Sequence, residues 1–356
     1  MRPRLWFSLF AAVVMVAAGL ASPASAAPRG SLDLQAHRGG LGLTTESTLA
    51  GFAKALRLGV TTLELDTQIT ADDKVVVTHD RQVSAQKCQD TGPVRPGDPA
   101  YPYVGKFIKD LTLAQIRTMN CGYQQLPGRP EQEQIDGAKI IELRELFDLV
   151  KQARARRVMM NIETKVEAGA PHETAPREQF VRRVYEEIEK SGLRRQVTIQ
   201  SFDWGSLMAM HRLDERLPLV ALTNRDFLQT GQPGLSPWLG GIDVDDFGGD
   251  WIAAAASIDG VVAVSPVQGF PQDGAIGDPG FVPFPDAAMI DNAHARGLKV
   301  IPWTVNDPAT MQYLIDIGAD GIITDRPDVL REVMADNGMK LPAPAPGCRK
   351  AKTCRI

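Results

Sequence analysis

Short apolar runs rich in β-forming residues recur along this chain, and most of them are followed by a helical pattern. Eight such runs predict strands, at 32–36, 61–66, 158–163, 196–201, 217–222, 258–265, 298–304 and 321–324. Apolar residues at i, i+3 and i+4 predict helices at 48–58, 143–155, 177–191, 204–213, 285–296, 308–317 and 327–335. Strands alternating with helices in this number predict a (β/α)8 TIM barrel. A doubly wound open sheet is the main alternative, and it is disfavoured because no Gly-rich phosphate loop follows the first strand.

One segment interrupts the alternation of strands and helices. Residues 81–136 are rich in Pro, Gly, Gln and Asp, and we interpret them as an insertion after the second strand, on the face where the strands end. Within the insertion, Lys109–Ile116 is predicted to form a short capped helix. Segments 233–249 and 268–283 are predicted to be loops at the same rim.

The four cysteines of the chain do not have the spacing of a zinc site, because no pair is arranged as C-x-x-C. Sequence order favours disulfides between Cys88 and Cys121 and between Cys348 and Cys354. Four cysteines allow three connectivities, and free thiols are a further alternative. A Cys88–Cys121 bond would stabilise an insertion that otherwise has little apolar core.

The first 26 residues have the pattern of a secretory signal peptide. Arg2 and Arg4 precede an apolar run over 5–20, and the small residues 24–26 follow it. We expect cleavage after Ala26, which makes the protein secreted or extracytoplasmic with no stable membrane anchor. An uncleaved transmembrane anchor is the alternative, because the apolar run approaches the length of a span. The mature chain then consists of a barrel domain, 27–340, and a C-terminal extension, 341–356.

The charge balance argues against a general nucleic-acid binder. The whole chain has a formal net charge of −4, and without the first 26 residues 37 basic residues stand against 43 acidic ones, a net charge of −6. A protein that binds the phosphate backbone non-specifically would carry an excess of basic residues instead.

Charged and titratable residues collect near the ends of the predicted strands. Glu64 and Asp66 lie at i and i+2, so strand periodicity points both carboxylates to the same face, where they can share one metal ion. Glu163 and Lys165 have the same spacing. Two histidines, His37 and His79, lie at strand ends beside these acids, and histidine transfers protons near neutral pH. With the guanidinium of a neighbouring arginine, this set suits phosphodiester cleavage, in which negative charge grows on the phosphoryl oxygens.

Several ordered motifs resemble those of the glycerophosphodiester phosphodiesterase family. They are AHRGG at 36–40, TEST at 45–48, LELDTQITADDKVVVTHD at 63–80, NIETK at 161–165, QSFD at 200–203, WTVN at 303–306 and GADGIITDRP at 318–327. Their order and spacing extend over nearly the whole mature chain. The resemblance implies a barrel with the active site at the C-terminal ends of the strands, and hydrolysis of a glycerophosphodiester to glycerol 3-phosphate and an alcohol.

The resemblance also implies a role for each matching residue. By class, these are metal ligands Glu64, Asp66 and Glu163, with Glu46 as a further acid of the metal pocket; a proton-transfer pair, His37 and His79; phosphate contacts Arg38 and Lys165; and a substrate wall, Trp303. One departure is Ser47, which stands where the family usually has asparagine. Which histidine is the acid stays open, and the nucleophile is either water or the substrate's own glycerol hydroxyl.

The expected cofactor is a divalent cation. Three carboxylates offer only hard oxygen ligands, which favours Ca²⁺ or Mg²⁺ over zinc. An exported location, where calcium is plentiful, favours Ca²⁺ over Mg²⁺.

Two other functions are compatible with parts of this pattern. A phospholipase D-like enzyme acting on sphingomyelin or lysophospholipids would share the histidines and acids, but it would need an exposed apolar rim, and residues 81–136 are largely polar. A non-catalytic binding barrel would be expected to lack a histidine or a metal acid, and this chain retains them all.

Overall fold

The computed structural model describes residues 31–348. The strands of this part of the chain are β1 (Asp33–Ala36), β2 (Thr62–Ile69), β3 (Val75–Val77), β4 (Ile141–Glu142), β5 (Met159–Thr164), β6 (Val197–Ser201), β7 (Leu219–Thr223), β8 (Val261–Pro266), β9 (Gly269–Phe270), β10 (Val282–Pro283), β11 (Lys299–Val300) and β12 (Gly321–Thr324). The α-helices are α1 (Leu49–Leu58), α2 (Leu113–Ile116), α3 (Leu143–Gln152), α4 (Arg177–Ser191), α5 (Trp204–Leu213), α6 (Arg225–Leu228), α7 (Trp251–Ala256), α8 (Ala287–Ala295), α9 (Pro308–Asp316) and α10 (Pro327–Asp336).

Eight parallel strands form the barrel, in the order β11-β8-β7-β6-β5-β2-β1-β12. The two ends of this order are joined by backbone hydrogen bonds, in which Asp320 N donates to Val300 O (2.9 Å) and Ile323 N donates to Pro302 O (3.0 Å). Each barrel strand overlaps one of the eight predicted runs, so the predicted (β/α)8 fold class is confirmed.

The helices that follow these strands pack their apolar faces on the outside of the sheet, around one large core. All seven predicted helices are present. Helix α7 was not predicted, because its six residues, WIAAAA, are too short and too rich in alanine to show an amphipathic period. Its N-terminus is fixed by Asp250, whose carboxylate accepts a hydrogen bond from Ala253 N.

The insertion packs around a small core of its own. Strand β3 pairs antiparallel with both β2 and β4, so a three-stranded ribbon extends from the end of the barrel. The predicted helix at Lys109–Ile116 is instead a 3₁₀ turn, Ile108–Asp110, followed by α2. Thr112 separates the two because its side chain and that of Gln115 form a capping box at the start of α2. The predicted Cys88–Cys121 disulfide is present.

The predicted signal peptide and the Cys348–Cys354 pair involve residues outside the described part of the chain. The described start of the C-terminal extension contacts the barrel: Ala345 N donates to Leu56 O and Gly347 N donates to Ala153 O. Between residues 31 and 348, no helix has both the length and the apolar character to cross a membrane.

Candidate active site

A tight turn at the end of β1 carries the first two site residues. His37–Gly39 form one 3₁₀ turn in which Arg38 has φ 51° and Gly39 φ 82°. A Cβ atom on Gly39 would lie 3.0 Å from Phe52 N, so both the conformation and the close approach of α1 require glycine. The turn directs the His37 and Arg38 side chains over the end of the barrel.

Three carboxylates meet at this end. Glu64 and Asp66 come from β2 and Glu163 from β5, where Asp66 and Glu163 are register partners. One oxygen from each carboxylate lies within 4.8 Å of the other two, and all three residues are buried. The structure therefore brings together the three predicted metal ligands that the sequence places on two strands.

Two cations lie against the carboxylates. Arg38 Nε is 3.2 Å from Asp66 Oδ2, and Lys165 Nζ is 3.0 Å from Glu163 Oε1 and 3.6 Å from Asp66 Oδ1. Burial alone would raise the pKa of Asp66, but the positive charges of Lys165 and Arg38, and that of His79 when its ring is protonated, outweigh it and lower that pKa.

The other two carboxylates are shifted in the opposite direction. Burial, and then the charge of Asp66, raise the pKa of Glu64 well above its usual range. Burial also raises the pKa of Glu163 to about 7, although Lys165 opposes the shift. Arg38 and Lys165 therefore compensate only part of the negative charge of the three buried carboxylates. A bound cation would compensate the remaining charge.

The donor set fits a hard divalent cation. Asp66 Oδ2 is buried and, although Arg38 Nε lies 3.2 Å away, it accepts no hydrogen bond from residues 31–348, so it has a lone pair available to an ion. Oxygens from three carboxylates are the ligands that Ca²⁺ and Mg²⁺ prefer. Glu46 lies beside this group, where it contacts Arg38 Nη1 at 3.2 Å and Lys87 Nζ at 2.7 Å. Its role as a further acid of the metal pocket stays a prediction.

Each predicted catalytic histidine has a carboxylate at Nδ1. His37 Nδ1 is 2.6 Å from Asp325 Oδ1, and His79 Nδ1 is 2.8 Å from Asp80 Oδ1. A carboxylate can only accept, so each Nδ1 carries a proton and each Nε2 is left to exchange a proton with substrate. His37 Nε2 lies 4.0 Å from Glu64 Oε2, next to the carboxylate group.

The sequence did not identify the residues that contact the carboxylates of Asp325 and Asp80. Asp325 accepts a hydrogen bond from Asn306 Nδ2 at 2.8 Å, and Arg129 Nη2 lies 2.8 Å from the same oxygen. On the other side, Lys87 Nζ is 2.9 Å from Asp80 Oδ2. Asp325 and Asn306 lie in the quoted motifs at strand ends, which was an available signal. Arg129 and Lys87 come from the insertion, and no local pattern marks them.

An aromatic chamber opens beside His79, Glu163 and Lys165. It is a cavity of about 640 Å³, with one aromatic wall formed by Phe202, Phe227, Trp238 and Trp303. Phe227 and Trp238 stack with ring centroids 4.3 Å apart, and Phe202 meets Trp303 edge to face at 5.3 Å. Trp303 is fixed further by a hydrogen bond from Nε1 to Ser265 O. The structure thus places Trp303 at the wall of this cavity, and its role as a substrate wall stays a prediction.

A second, more polar cavity opens on the His37 side. It has a volume of about 450 Å³, and its lining includes Arg129, Gln272, Asn306 and Asp307. A small cavity lined by both histidines and the three carboxylates lies between the two. The two ester groups of a phosphodiester would therefore have separate spaces on either side of its phosphate.

Comparison with known proteins decides the family. The chain matches the glycerophosphoryl diester phosphodiesterase family over residues 37–329. The chain belongs to this family. The predicted resemblance is therefore confirmed, and so is the prediction that the protein is a phosphodiesterase enzyme.

Named members of the family are similar over most of their length. A glycerophosphodiester phosphodiesterase of Caldanaerobacter subterraneus subsp. tengcongensis is 25% identical over 303 residues, which is 85% of this chain and 98% of the relative. A human lysophospholipase D is 26% identical over 311 residues, which is 84% of this chain and 84% of the relative. The crystal structure of a putative glycerophosphoryl diester phosphodiesterase from Silicibacter pomeroyi superposes with a TM-score of 0.69 at 27% identity, covering 88% of this chain and 97% of that one.

The departure from the family pattern at Ser47 has a local consequence. Ser47 has φ 56°, a left-handed conformation that asparagine adopts more readily than serine. The Ser47 hydroxyl is buried and makes no hydrogen bond within the described part of the chain. In this member of the family, a polar side chain next to Glu46 is therefore left unsatisfied.

Proposed function

We propose that this protein hydrolyses glycerophosphodiesters to glycerol 3-phosphate and an alcohol, with a divalent cation and the His37/His79 pair. The observation that carries the proposal is that two carboxylate-oriented histidines face a buried group of three carboxylates at the C-terminal end of the barrel. Active sites of this fold lie at that end. A non-catalytic barrel would have no need to keep these costly buried charges together.

Glu64, Asp66 and Glu163 would hold the cation. When bound, such an ion stabilises the negative charge that develops on a phosphoryl oxygen. We favour Ca²⁺ over Mg²⁺ because the N-terminal sequence and the disulfide are typical of an exported protein. The same two features support a secreted or extracytoplasmic location.

The phosphate is bound by Arg38 and Lys165, which are close to the carboxylates and carry fixed positive charge. Arg38 offers a planar set of donors, and Lys165 offers a point charge on the β5 side. Their attraction to a phosphodiester is strengthened by burial, which excludes competing water.

His79 is the proposed general base and His37 the general acid. Burial lowers the pKa of His79 well below its usual range, and the charges of Lys165 and Arg38 lower it further, so the ring is neutral at neutral pH and can accept the proton of the nucleophile. His37 Nε2 then donates a proton to the departing alkoxide, while Asp325 holds the ring in position through Nδ1. Both histidines line the small central cavity, which supports the proposal. In-line displacement requires the base and the acid to act from opposite sides of the phosphate.

The proposal is tested by coupled assays of choline and of glycerol 3-phosphate with two substrates, glycerophosphocholine and lysophosphatidylcholine, because only choline is released from both. We expect glycerol 3-phosphate and choline from glycerophosphocholine. Cleavage of lysophosphatidylcholine with no reaction of glycerophosphocholine would overturn the proposal in favour of a lysophospholipase D, which is the activity named for the human relative.

A further inference from the structure

A chain of buried amide side chains runs through the interior of the barrel to the carboxylate group. Its members come from three barrel strands: Gln35 from β1, Asn161 from β5 and Gln200 from β6, with β2 between β1 and β5. At most 2% of each residue is exposed to solvent. The chain begins at Asp33, at the start of β1, and ends at Glu64.

The hydrogen bonds of this chain are continuous. Gln35 Nε2 donates to Asp33 Oδ2 at 2.8 Å, and Asn161 Nδ2 donates to Gln35 Oε1 at 3.0 Å. Asn161 Nδ2 also donates to Gln200 Oε1 at 2.7 Å, and Gln200 Nε2 donates to Glu64 Oε1 at 2.7 Å. Asn161 Oδ1 accepts from the Thr198 hydroxyl at 2.9 Å, so every amide group of the chain is used.

The direction of every amide in the chain follows from its two ends. A carboxylate that is ionised, as a metal ligand must be, only accepts, so Glu64 requires the NH₂ group of Gln200. At the other end, an ionised Asp33 requires the NH₂ group of Gln35. Both glutamines then present oxygen to Asn161. Because the NH₂ group of Asn161 has two hydrogens, it can satisfy both oxygens. Reversing any one amide would place two donors or two acceptors against each other in the buried interior of the barrel, which is costly.

We propose that this chain is a positioning device for Glu64, and that Gln200, Asn161 and Asp33 set the affinity of the cation site through it. The proposal rests on the proposed role of Glu64 as a metal ligand. Gln200 holds Glu64 Oε1, while Glu64 Oε2 lies 2.9 Å from the backbone N–H of Arg38, so the carboxylate has one orientation relative to Asp66 and Glu163. Residues that orient metal ligands in this way commonly change metal affinity by roughly 10–100-fold when they are replaced.

The amide chain predicts that Asp33, at the end far from Glu64, affects the affinity of the cation site. In D33N the new carboxamide can donate to Gln35 as well as accept from it. Glu64 alone then fixes the direction of Gln35, Asn161 and Gln200, so the reversed arrangement, in which the oxygen of Gln200 faces Glu64, becomes less costly than in the wild type. We therefore expect D33N to weaken the cation site, although within residues 31–348 the Asp33 side chain makes hydrogen bonds to Gln35 and Thr62 and none to the three metal acids.

The test is isothermal titration calorimetry of Ca²⁺ and Mg²⁺ into the full-length wild type, Q200M and D33N. We expect the Kd to rise about 10-fold or more in Q200M and by a smaller factor in D33N. The matched control is T62V, which removes the other hydrogen bond to Asp33, from the Thr62 hydroxyl to Oδ1, and leaves the amide directions unchanged. T62V should lower the Tm without changing the Kd. An unchanged Kd in D33N, or an equal change of Kd in T62V, would contradict the proposal that the amide chain positions Glu64.

A crystal structure of Q200M without added metal gives a second readout. The proposal requires Glu64 Oε1 to leave its wild-type position when the amide donor is lost. An unmoved Glu64 overturns the positioning role even if the wild type binds no cation. A wild type that binds neither ion, with Glu64 displaced in Q200M, contradicts the proposed metal site and leaves the positioning role intact.

Discussion

His37 and His79 are the residues on which the proposed chemistry depends. Each ring is oriented by its own carboxylate, Asp325 or Asp80, so removal of the ring should affect proton transfer rather than the fold. We expect H37A and H79A each to lower kcat by about 100-fold or more, the usual size of a general acid–base contribution. Near wild-type turnover in either variant, with unchanged circular dichroism, would show that this histidine is structural.

The loss of activity on the acid side of the pH–activity profile, the acid limb, should follow the protonation of His79. Its pKa is lowered by burial and by positive charges that include Lys87, and a base must be neutral, so activity is retained above this pKa and lost as the pH falls through it. The limb should therefore lie below pH 6.5, the ordinary value for histidine.

Removal of one of these charges should move the limb in a known direction. In K87Q the pKa of His79 rises, so activity should be lost at a higher pH than in the wild type. The control is K190Q, which removes the same charge from the C-terminal turn of α4, where Lys190 pairs with Glu187. A limb that moves equally in both variants, or in neither, would contradict the assignment of the limb to His79.

At the scale of elements, a strap from the insertion reaches across to the β1 loop. Residues 129–135 form this strap: Glu133 N donates to Leu43 O, Thr45 N donates to Glu133 O, and Gln132 Nε2 donates to Leu41 O. The strap holds Arg129 over Asp325 and so links the insertion to the partner of His37.

Loss of this contact should slow catalysis more than it weakens substrate binding. Burial opposes ionisation of Asp325, and the hydrogen bond to His37 and the charges of His37 and Arg129 keep its pKa low. A hydrogen bond to a charged group contributes about 1.5–3 kcal/mol, so we expect R129Q to lower kcat roughly 10-fold or more with a smaller change in KM. R95Q, an exposed position in the same insertion, should match the wild type. A change confined to KM would instead make Arg129 a substrate contact.

The elements that could be predicted are those whose signal is local. Each barrel strand is a short apolar run bounded by polar residues, and helices such as α3 and α4 bury a regular apolar stripe, so their positions follow from the sequence. The acids on β2 and β5 were found for the same reason, since strand periodicity fixes the face of each side chain.

The partners that were missed depend on contacts between distant segments. Arg129 meets Asp325 across nearly 200 positions, and Gln200 meets Glu64 across 136. Neither contact can be read from a regular spacing in the sequence. The Gln200–Glu64 contact forms only when the barrel strands assemble, and the Arg129–Asp325 contact forms only when the insertion folds over the barrel. The aromatic wall has the same origin, since Phe202 and Trp238 lie on different loops.

At the scale of the whole molecule, the buried carboxylates should couple stability to pH and to metal. The pKa of Glu163 is raised to about 7 in the fold, above its ordinary value of 4.5, so the folded protein binds more protons than the unfolded chain between these values. The free energy of unfolding of the metal-free protein should therefore fall as the pH rises from about 4.5 to 7. Bound Ca²⁺ should replace the proton, so the rise in Tm on adding Ca²⁺ should be larger at pH 7.5 than at pH 5.

Differential scanning fluorimetry at both pH values measures this coupling. E163Q is the matched variant: it keeps the shape of the side chain and removes its titration, so its metal-free Tm should depend less on pH in this range. A Ca²⁺ effect that is the same at pH 5 and pH 7.5 would contradict the coupling.

Release of glycerol 3-phosphate from glycerophosphocholine, measured before and after exhaustive dialysis against EDTA, bears on the metal and the reaction together. We predict that dialysis abolishes release and that Ca²⁺ or Mg²⁺ restores it in the wild type. In E64Q, which keeps the shape of the ligand and removes its charge, restoration should need a higher concentration of the ion. Full release of glycerol 3-phosphate by the EDTA-dialysed wild type would contradict a metal site at Glu64, Asp66 and Glu163.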